Sequence, residues 1–237
     1  ATMIAGGSGY PAASYRLGLP APAAALTVSK SGTADATQIP NDVAYVYTYV
    51  DGVGAEGPPS PPSAIVSITD AETVALSDIV AAPATPGGVG SYYLPTAAKK
   101  RIYRSNTGTE NTQFQFLAEI TYATTTYSDT TDADELGEIL PSSTWIGPPN
   151  DVSGTYPDGM MLGLVFVSNG IAAGFTGNTL CLSEPYLPHA WPADYRISIE
   201  EPIVGLGVTG NGIAVLTEGT PYFVTGADPA AMTAVRL

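Results

Sequence analysis

Asn178-Thr-Leu-Cys-Leu-Ser-Glu-Pro-Tyr-Leu-Pro-His-Ala-Trp-Pro192 is the stretch around which the rest of the chain is organised. A short apolar strand, Leu180-Cys-Leu182, runs into a segment broken by Pro185, Pro188 and Pro192. Proline fixes φ and removes a backbone donor, so this segment is neither a helix interior nor a central strand. It reads as an ordered loop pinned by Tyr186 and Trp191, whose rings bury large areas. Working outward, strand pairs lie on each side. Upstream are Leu162–Ser168, the turn Asn169-Gly170 and Ile171–Phe175; downstream are Ile203–Val208, the turn Asn211-Gly212 and Ile213–Thr217. Asn-Gly between apolar runs predicts a tight hairpin, because both residues tolerate positive φ. Two hairpins around one proline-stapled loop follow the logic of propeller blades or of a β-sandwich.

The rest of the chain extends the all-β reading. Val43-Ala-Tyr-Val-Tyr-Thr-Tyr-Val50 places apolar or aromatic residues on both faces, which predicts a central strand. Gly57-Pro-Pro-Ser-Pro-Pro-Ser63 reads as a rigid connector that cannot ladder. Ala64–Thr69, Thr73–Leu76, Lys100–Ser105, Gln115–Ile120 and Thr124–Ser128 add short strands with turn signals between them, an immunoglobulin-like or fibronectin-like pattern. Ala81–Gly90 reads as a Pro/Gly loop, and Asp132–Leu140 has room for one helical turn. Three regions result: an extended arm at 1–36 packed on the body, a fibronectin-like β-sandwich at 37–146, and a propeller-like hairpin region at 147–237. A propeller blade takes about 40–45 residues, so the last region holds at most two. Further blades, in a propeller, come from elsewhere or from a longer chain.

Composition narrows the function. Charged residues are 13% of the chain, roughly half the usual share, which fits a surface covered by neighbouring subunits or a Thr/Ser/Gly-rich β surface. The net charge of −14 argues against general nucleic-acid binding, which needs Lys and Arg on phosphates. It does not exclude a pore through which DNA slides, because an acidic or neutral lumen repels DNA and keeps it from sticking. The single cysteine, Cys181, excludes an internal disulfide and reads as a buried thiol. No apolar run reaches the length of a membrane span, and the first ten residues lack the charged region and long apolar core of a secretory signal. Without an initiator methionine, the chain reads as processed or as a piece of something longer.

No catalytic, cofactor or metal constellation stands out. Gly205-Leu-Gly-Val-Thr-Gly210 matches the dinucleotide fingerprint but is followed by a strand instead of the helix that would hold a pyrophosphate. His189 is the only histidine, and Ser183 and Glu184 beside it sit on a proline-bent loop without triad geometry. The densest acidic cluster is Asp129, Asp132, Asp134, Glu135 and Glu138. It fails the calcium-loop pattern, with Leu136 and Ser143 at the fifth and twelfth positions. Lys99, Lys100, Arg101 and Arg104 are half of all basic residues and form a candidate subunit or partner contact, with a carboxylate-rich neighbour or with nucleic acid, against the plainer reading of a charged solvent face. Strand alternation sets Arg101 and Tyr103 opposite Lys100, Ile102 and Arg104.

Several strings point to a family. Tyr15-Arg-Leu-Gly-Leu-Pro-Ala-Pro22, Tyr45-Val-Tyr-Thr-Tyr-Val50, Gly57–Ser63, Arg101-Ile-Tyr-Arg104, Tyr127-Ser-Asp129 and Ser183–Pro192 together resemble tailed-bacteriophage virion proteins of the tail nozzle or tail-tube-associated kind. Such proteins have a propeller-like body carrying an inserted fibronectin-like domain. The resemblance implies a structural, non-enzymatic component of the virion tail: a homo-oligomeric ring, six-fold by expectation, around a conduit for genome ejection. Its neighbours would be other tail proteins such as an adaptor or fibres, and DNA would pass without sequence recognition. A ring closes through heterologous interfaces. The competing readings are a carbohydrate- or surface-binding module with Tyr92, Tyr93, Tyr156, Tyr186 and Trp191 as its platform, and a glycoside-active enzyme relying on Glu184, Glu200 and Glu201.

Overall fold

Tyr45–Val50, the double-faced run, is a strand in which every residue is buried. In the computed structural model, residues 2–4, 14–82, 91–107, 111–150, 159–210 and 212–237 are described, and they are all-β with three short 3-10 turns. The chain divides into two compact units. One runs over Leu19–Ala84 and Tyr93–Ser143, the other over Ala1–Gly18, Thr85–Tyr92 and Thr144–Leu237. The boundary expected after residue 36 therefore falls at 18. The reason is that Thr27–Ser31 is a strand paired with Thr73–Ser77.

In the unit beginning at Leu19, Tyr45–Val50 pairs with Lys99–Thr107, which pairs with Thr112–Thr121, all antiparallel. A second three-stranded sheet holds Thr27–Ser31, Thr73–Ser77 and Tyr127–Asp129. The run expected to be one strand from Val43 breaks at Ala44. Asn41–Val43 pairs with Val66–Ile68 instead, and Ala44 N–H donates to Ser105 Oγ at 2.8 Å. Asp132–Leu140 contains one 3-10 turn, Ala133–Glu135. Residues 83–90 of the expected Pro/Gly loop lie outside the described residues.

The proline-rich connector corrects its own expectation. Gly57, Ser60 and Ser63 donate their N–H groups to the carbonyls of Tyr49, Tyr47 and Tyr45 at 2.9–3.0 Å. Ser60 and Ser63 also accept the N–H groups of Tyr47 and Tyr45 on their hydroxyls. Proline lacks a donor, but an extended proline-rich segment repeats every three residues, so a donor at every third position suffices to follow a strand edge. The serine side chains stand in for ladder acceptors. Ser183 repeats the device further on: its N–H donates to Ala172 O, and its Oγ accepts Ala172 N–H.

The other unit contains two four-stranded antiparallel meanders whose spatial order equals chain order. The first is Leu162–Phe166, Ala172–Thr176, Thr179–Leu182 and Arg196–Ser198; the second is Ile203–Thr209, Gly212–Thr217, Tyr222–Thr225 and Thr233–Arg236. They share one core. Phe175, Leu180 and Leu182 from the first pack with Ile213, Val215 and Val224 from the second. The Asn-Gly turns differ from expectation in detail. Of the first pair only Gly170 has a positive φ (82°), and its N–H donates to Val167 O, which makes a three-residue loop. At the second, Thr209 already pairs with Gly212, so the connection starts one residue early, at Gly210 with φ 57°. Asn211 lies outside the described residues.

The proline-bent loop is held by a chain of backbone bonds. Glu184 N–H donates to Ala190 O, Tyr186 N–H to Gly170 O, and Trp191 N–H to Ile146 O. Trp191 is buried and its indole N–H closes the loop on Pro188 O at 2.8 Å. Tyr186 pins the loop differently from expectation: it is 76% exposed, with φ 62°. Its ring lies over Gly170, where an added Cβ would come within 2.5 Å of it.

Candidate binding groove and the basic strand

Lys99–Thr107 is the strand on which the basic cluster sits, and its two faces do different things. The expected alternation is observed. On one face Lys100 is fully buried, and its amine donates to the carbonyls of Ile79 (2.6 Å) and Thr124 (2.8 Å). Burial lowers its pKa to about 8. The amine lies 5.6 Å from the centre of the Tyr122 ring. On the same face Arg104 is buried against Asp129, Nη1 to carboxylate 2.7 Å, and also bonds Thr131 O. Asp129 in turn accepts the Tyr45 hydroxyl at 2.8 Å. Burial, and then the Asp129 charge, push the Tyr45 pKa well above its ordinary value. Lys100 and Arg104 are thus correctly placed on one face but are not an outer contact surface. Lys100, Ile102 and Arg104 are all buried, so this face points into the fold.

The opposite face is a second network with an open side. Glu56 is buried and accepts three groups: Thr48 Oγ1 at 2.6 Å, Tyr103 hydroxyl at 2.7 Å and Arg101 Nη1 at 2.8 Å. Arg101 Nε reaches Glu119 at 3.1 Å, and this pair is about one third exposed, 34% and 37%. Beside it opens a groove of about 330 Å3. Its lining includes Arg101, Phe116, Glu119, Glu138, Ile139 and Pro141. Phe116 packs edge-on against Tyr103, ring centres 5.9 Å apart, so its orientation is set from beneath. The register of the Thr112–Thr121 strand shifts between Phe116 and Ala118; such bulges re-aim side chains and recur beside functional sites. The segment after the 3-10 turn forms the rim. Phe116 N–H donates to Glu138 O, Gly137 N–H to Phe116 O and Leu140 N–H to Phe114 O, each at 2.8 Å. A Cβ on Gly137 would sit 3.2 Å from the Phe116 ring, so the close approach favours glycine.

The remaining candidates are dispersed. Of the acidic cluster, Asp129 turns inward while Asp132, Asp134, Glu135 and Glu138 are exposed. Among the described residues no group of three or more His, Cys, Asp or Glu is arranged to hold a metal. Trp191 of the expected aromatic platform is buried, Tyr186 is exposed, and Tyr156 lies outside the described residues. Glu184 accepts the Tyr195 hydroxyl, Glu200 the Tyr222 hydroxyl and Arg236, and Glu201 binds Thr217 and Thr220. Gly205 and Gly207 of the fingerprint lie within a strand. Cys181 is buried, which raises its thiol to about 11. Trp145 lies edge-on to His189, ring centres 5.8 Å apart. No helix of the described residues is long and apolar enough to cross a membrane. The groove beside Arg101 was missed by sequence reasoning. Its one sequence signal was the alternation that separates Arg101 from Lys100 and Arg104.

No protein-family model matches the chain, and no curated protein matches it.

Proposed function

We propose that the chain is a structural, non-enzymatic subunit of a bacteriophage tail assembly, a ring around the path of the ejected genome, with neighbouring tail proteins as its partners. In this reading the two meanders are propeller-like blades, and the unit beginning at Leu19 is a fibronectin-like sandwich inserted in the chain ahead of them. One observation carries it. The second meander presents its inner side to the shared core and an outer side with no charged group across its central rows. Strand register aligns Gly207, Ala214, Phe223 and Val235 in one such row, with Gly205 paired to Leu216 in another. Leu216 and Val235 are 51% and 55% exposed. In a chain of net charge −14, an uncharged sheet face is where a like-charged copy approaches at least cost.

Light scattering on the purified chain, followed by electron microscopy of any large species, tests this reading. Rings with a central hole are expected, and Leu216→Glu should dissociate them without unfolding the exposed position. A chain that stays monomeric at every concentration, with or without that substitution, argues against a ring.

A further inference from the structure

We propose that the groove beside Arg101 is a binding site for a neutral carbohydrate chain. This assignment is independent of the tail reading and uses other residues than the aromatic platform expected from sequence.

The volume, about 330 Å3, falls at the lower end of the range of small-molecule sites, about 300–1,000 Å3. The chemistry of the lining selects the ligand. Arg101 spends two of its five N–H donors, on Glu56 and Glu119, and its side chain lines the groove with 34% of its surface exposed. Its position is set from below, because Glu56 is buried and held by two further donors, Thr48 and Tyr103. Glu119 and Glu138 supply acceptors at the same surface. Phe116, Ile139 and Pro141 supply apolar area, and Ile139 is 52% exposed.

A hydroxyl-rich ring satisfies all three features together. Its hydroxyls accept from Arg101 and donate to the carboxylates, and its C–H face covers the aromatic and aliphatic groups. A simple anion meets Glu119 and Glu138. A simple cation meets Arg101. A purely apolar ligand strands the charged groups at a desolvation cost. The groove is also pre-formed. Phe116 is braced by Tyr103, and the rim is tied by three backbone bonds, so little ordering cost falls on binding.

The test uses the full chain, labelled with 15N, titrated with maltohexaose, cellohexaose and N-acetylchitohexaose. At least one should shift the Arg101 side-chain N–H and the backbone signals of Phe116, Gly137 and Ile139, saturably. Glu119→Gln keeps the side-chain volume at an exposed position and should weaken that titration about tenfold or more, as expected for loss of hydrogen bonds to a charged acceptor. Ile139→Ala, also exposed, should weaken it less, with an unchanged thermal midpoint for both variants. Absence of shifts at these residues with all three sugars overturns the assignment. So does binding of hexalysine or hexagalacturonate in their place, or a titration that Glu119→Gln leaves unchanged.

Discussion

The two units bury their strands by opposite means. The buried charged residues among those described are Glu56, Glu72, Lys100, Arg104 and Asp129, and all belong to the unit that begins at Leu19. The meander unit buries only Thr176 and Ser183 among its described polar residues, and fills its core with Ile, Leu, Val and Phe. The first is therefore specified by hydrogen-bond geometry, where one lost partner leaves a charge stranded in a dry interior. The second is specified by packing, where loss is proportional to volume removed. The polar unit is also the one whose network reaches the surface, at Arg101 and Glu119. A binding groove grows naturally at the edge of a pre-organised polar core.

Both tryptophans, Trp145 and Trp191, belong to the meander unit, so their fluorescence reports that unit selectively. Hydrogen exchange over Tyr45–Val50 reports the other. The strongest challenge to the contrast is Arg104→Met. It leaves Asp129 without its cation and should cost roughly 3–5 kcal/mol, read as faster exchange over Tyr45–Val50 with the tryptophan transition in denaturant little changed. Equal movement of both signals would mean that the units unfold as one. Ile213→Ala should do the converse: it removes a fully buried side chain at about 2–5 kcal/mol and moves the tryptophan transition.

Ser60→Ala sharpens the contrast within the polar unit. It removes the acceptor of Tyr47 N–H and should cost about 1–3 kcal/mol if the proline-rich segment is a true sheet edge. An unfolding midpoint within error of the parent would show that water replaces the hydroxyl.

A pH dependence tests the same buried charges from another side. Burial holds the Lys100 amine at about 8 against 10.5 for an unburied lysine. Between those values the unfolded chain binds the extra proton, so raising pH favours the native state. The contribution is complete above 10.5 and lost as pH falls through about 8. Lys100→Met lacks it. The stability of the parent relative to this variant should therefore rise from pH 8 to 10.5 in denaturant titrations. A flat difference would show that Lys100 titrates normally.

Much of the architecture was legible in particular residues. Apolar residues on both faces of 43–50 marked a strand buried on both sides, although Tyr45–Val50 stands at the end of its sheet and not at the centre, and the alternation at 100–105 sorted its side chains by face, because a side-chain period of two assigns faces without any tertiary knowledge. The Asn169-Gly170 and 210–212 glycines marked hairpins, although turn register slipped by a residue because pairing across the strands overrides local turn preference. Prolines misled where they seemed most decisive. The absence of donors at Pro58, Pro59, Pro61 and Pro62 hid the fact that Gly57, Ser60 and Ser63 fall at the period of an extended proline helix. The basic cluster was visible as a cluster, but which charges point inward depends on what packs over each face.

Sequence alone determined the all-β class, the hairpins, the buried thiol and the sorting of Arg101 from Lys100 and Arg104. These follow from local periodicity, turn chemistry and composition, which need only neighbours along the chain. The tertiary structure alone decided that Thr27–Ser31 belongs with Thr73–Ser77, that Glu56 lies beneath Arg101, Thr48 and Tyr103, and that the Gly137–Leu140 rim closes on Phe116. Each joins residues distant in sequence. Their meeting is set by which surfaces can be buried with every polar group paired, a condition on the whole fold.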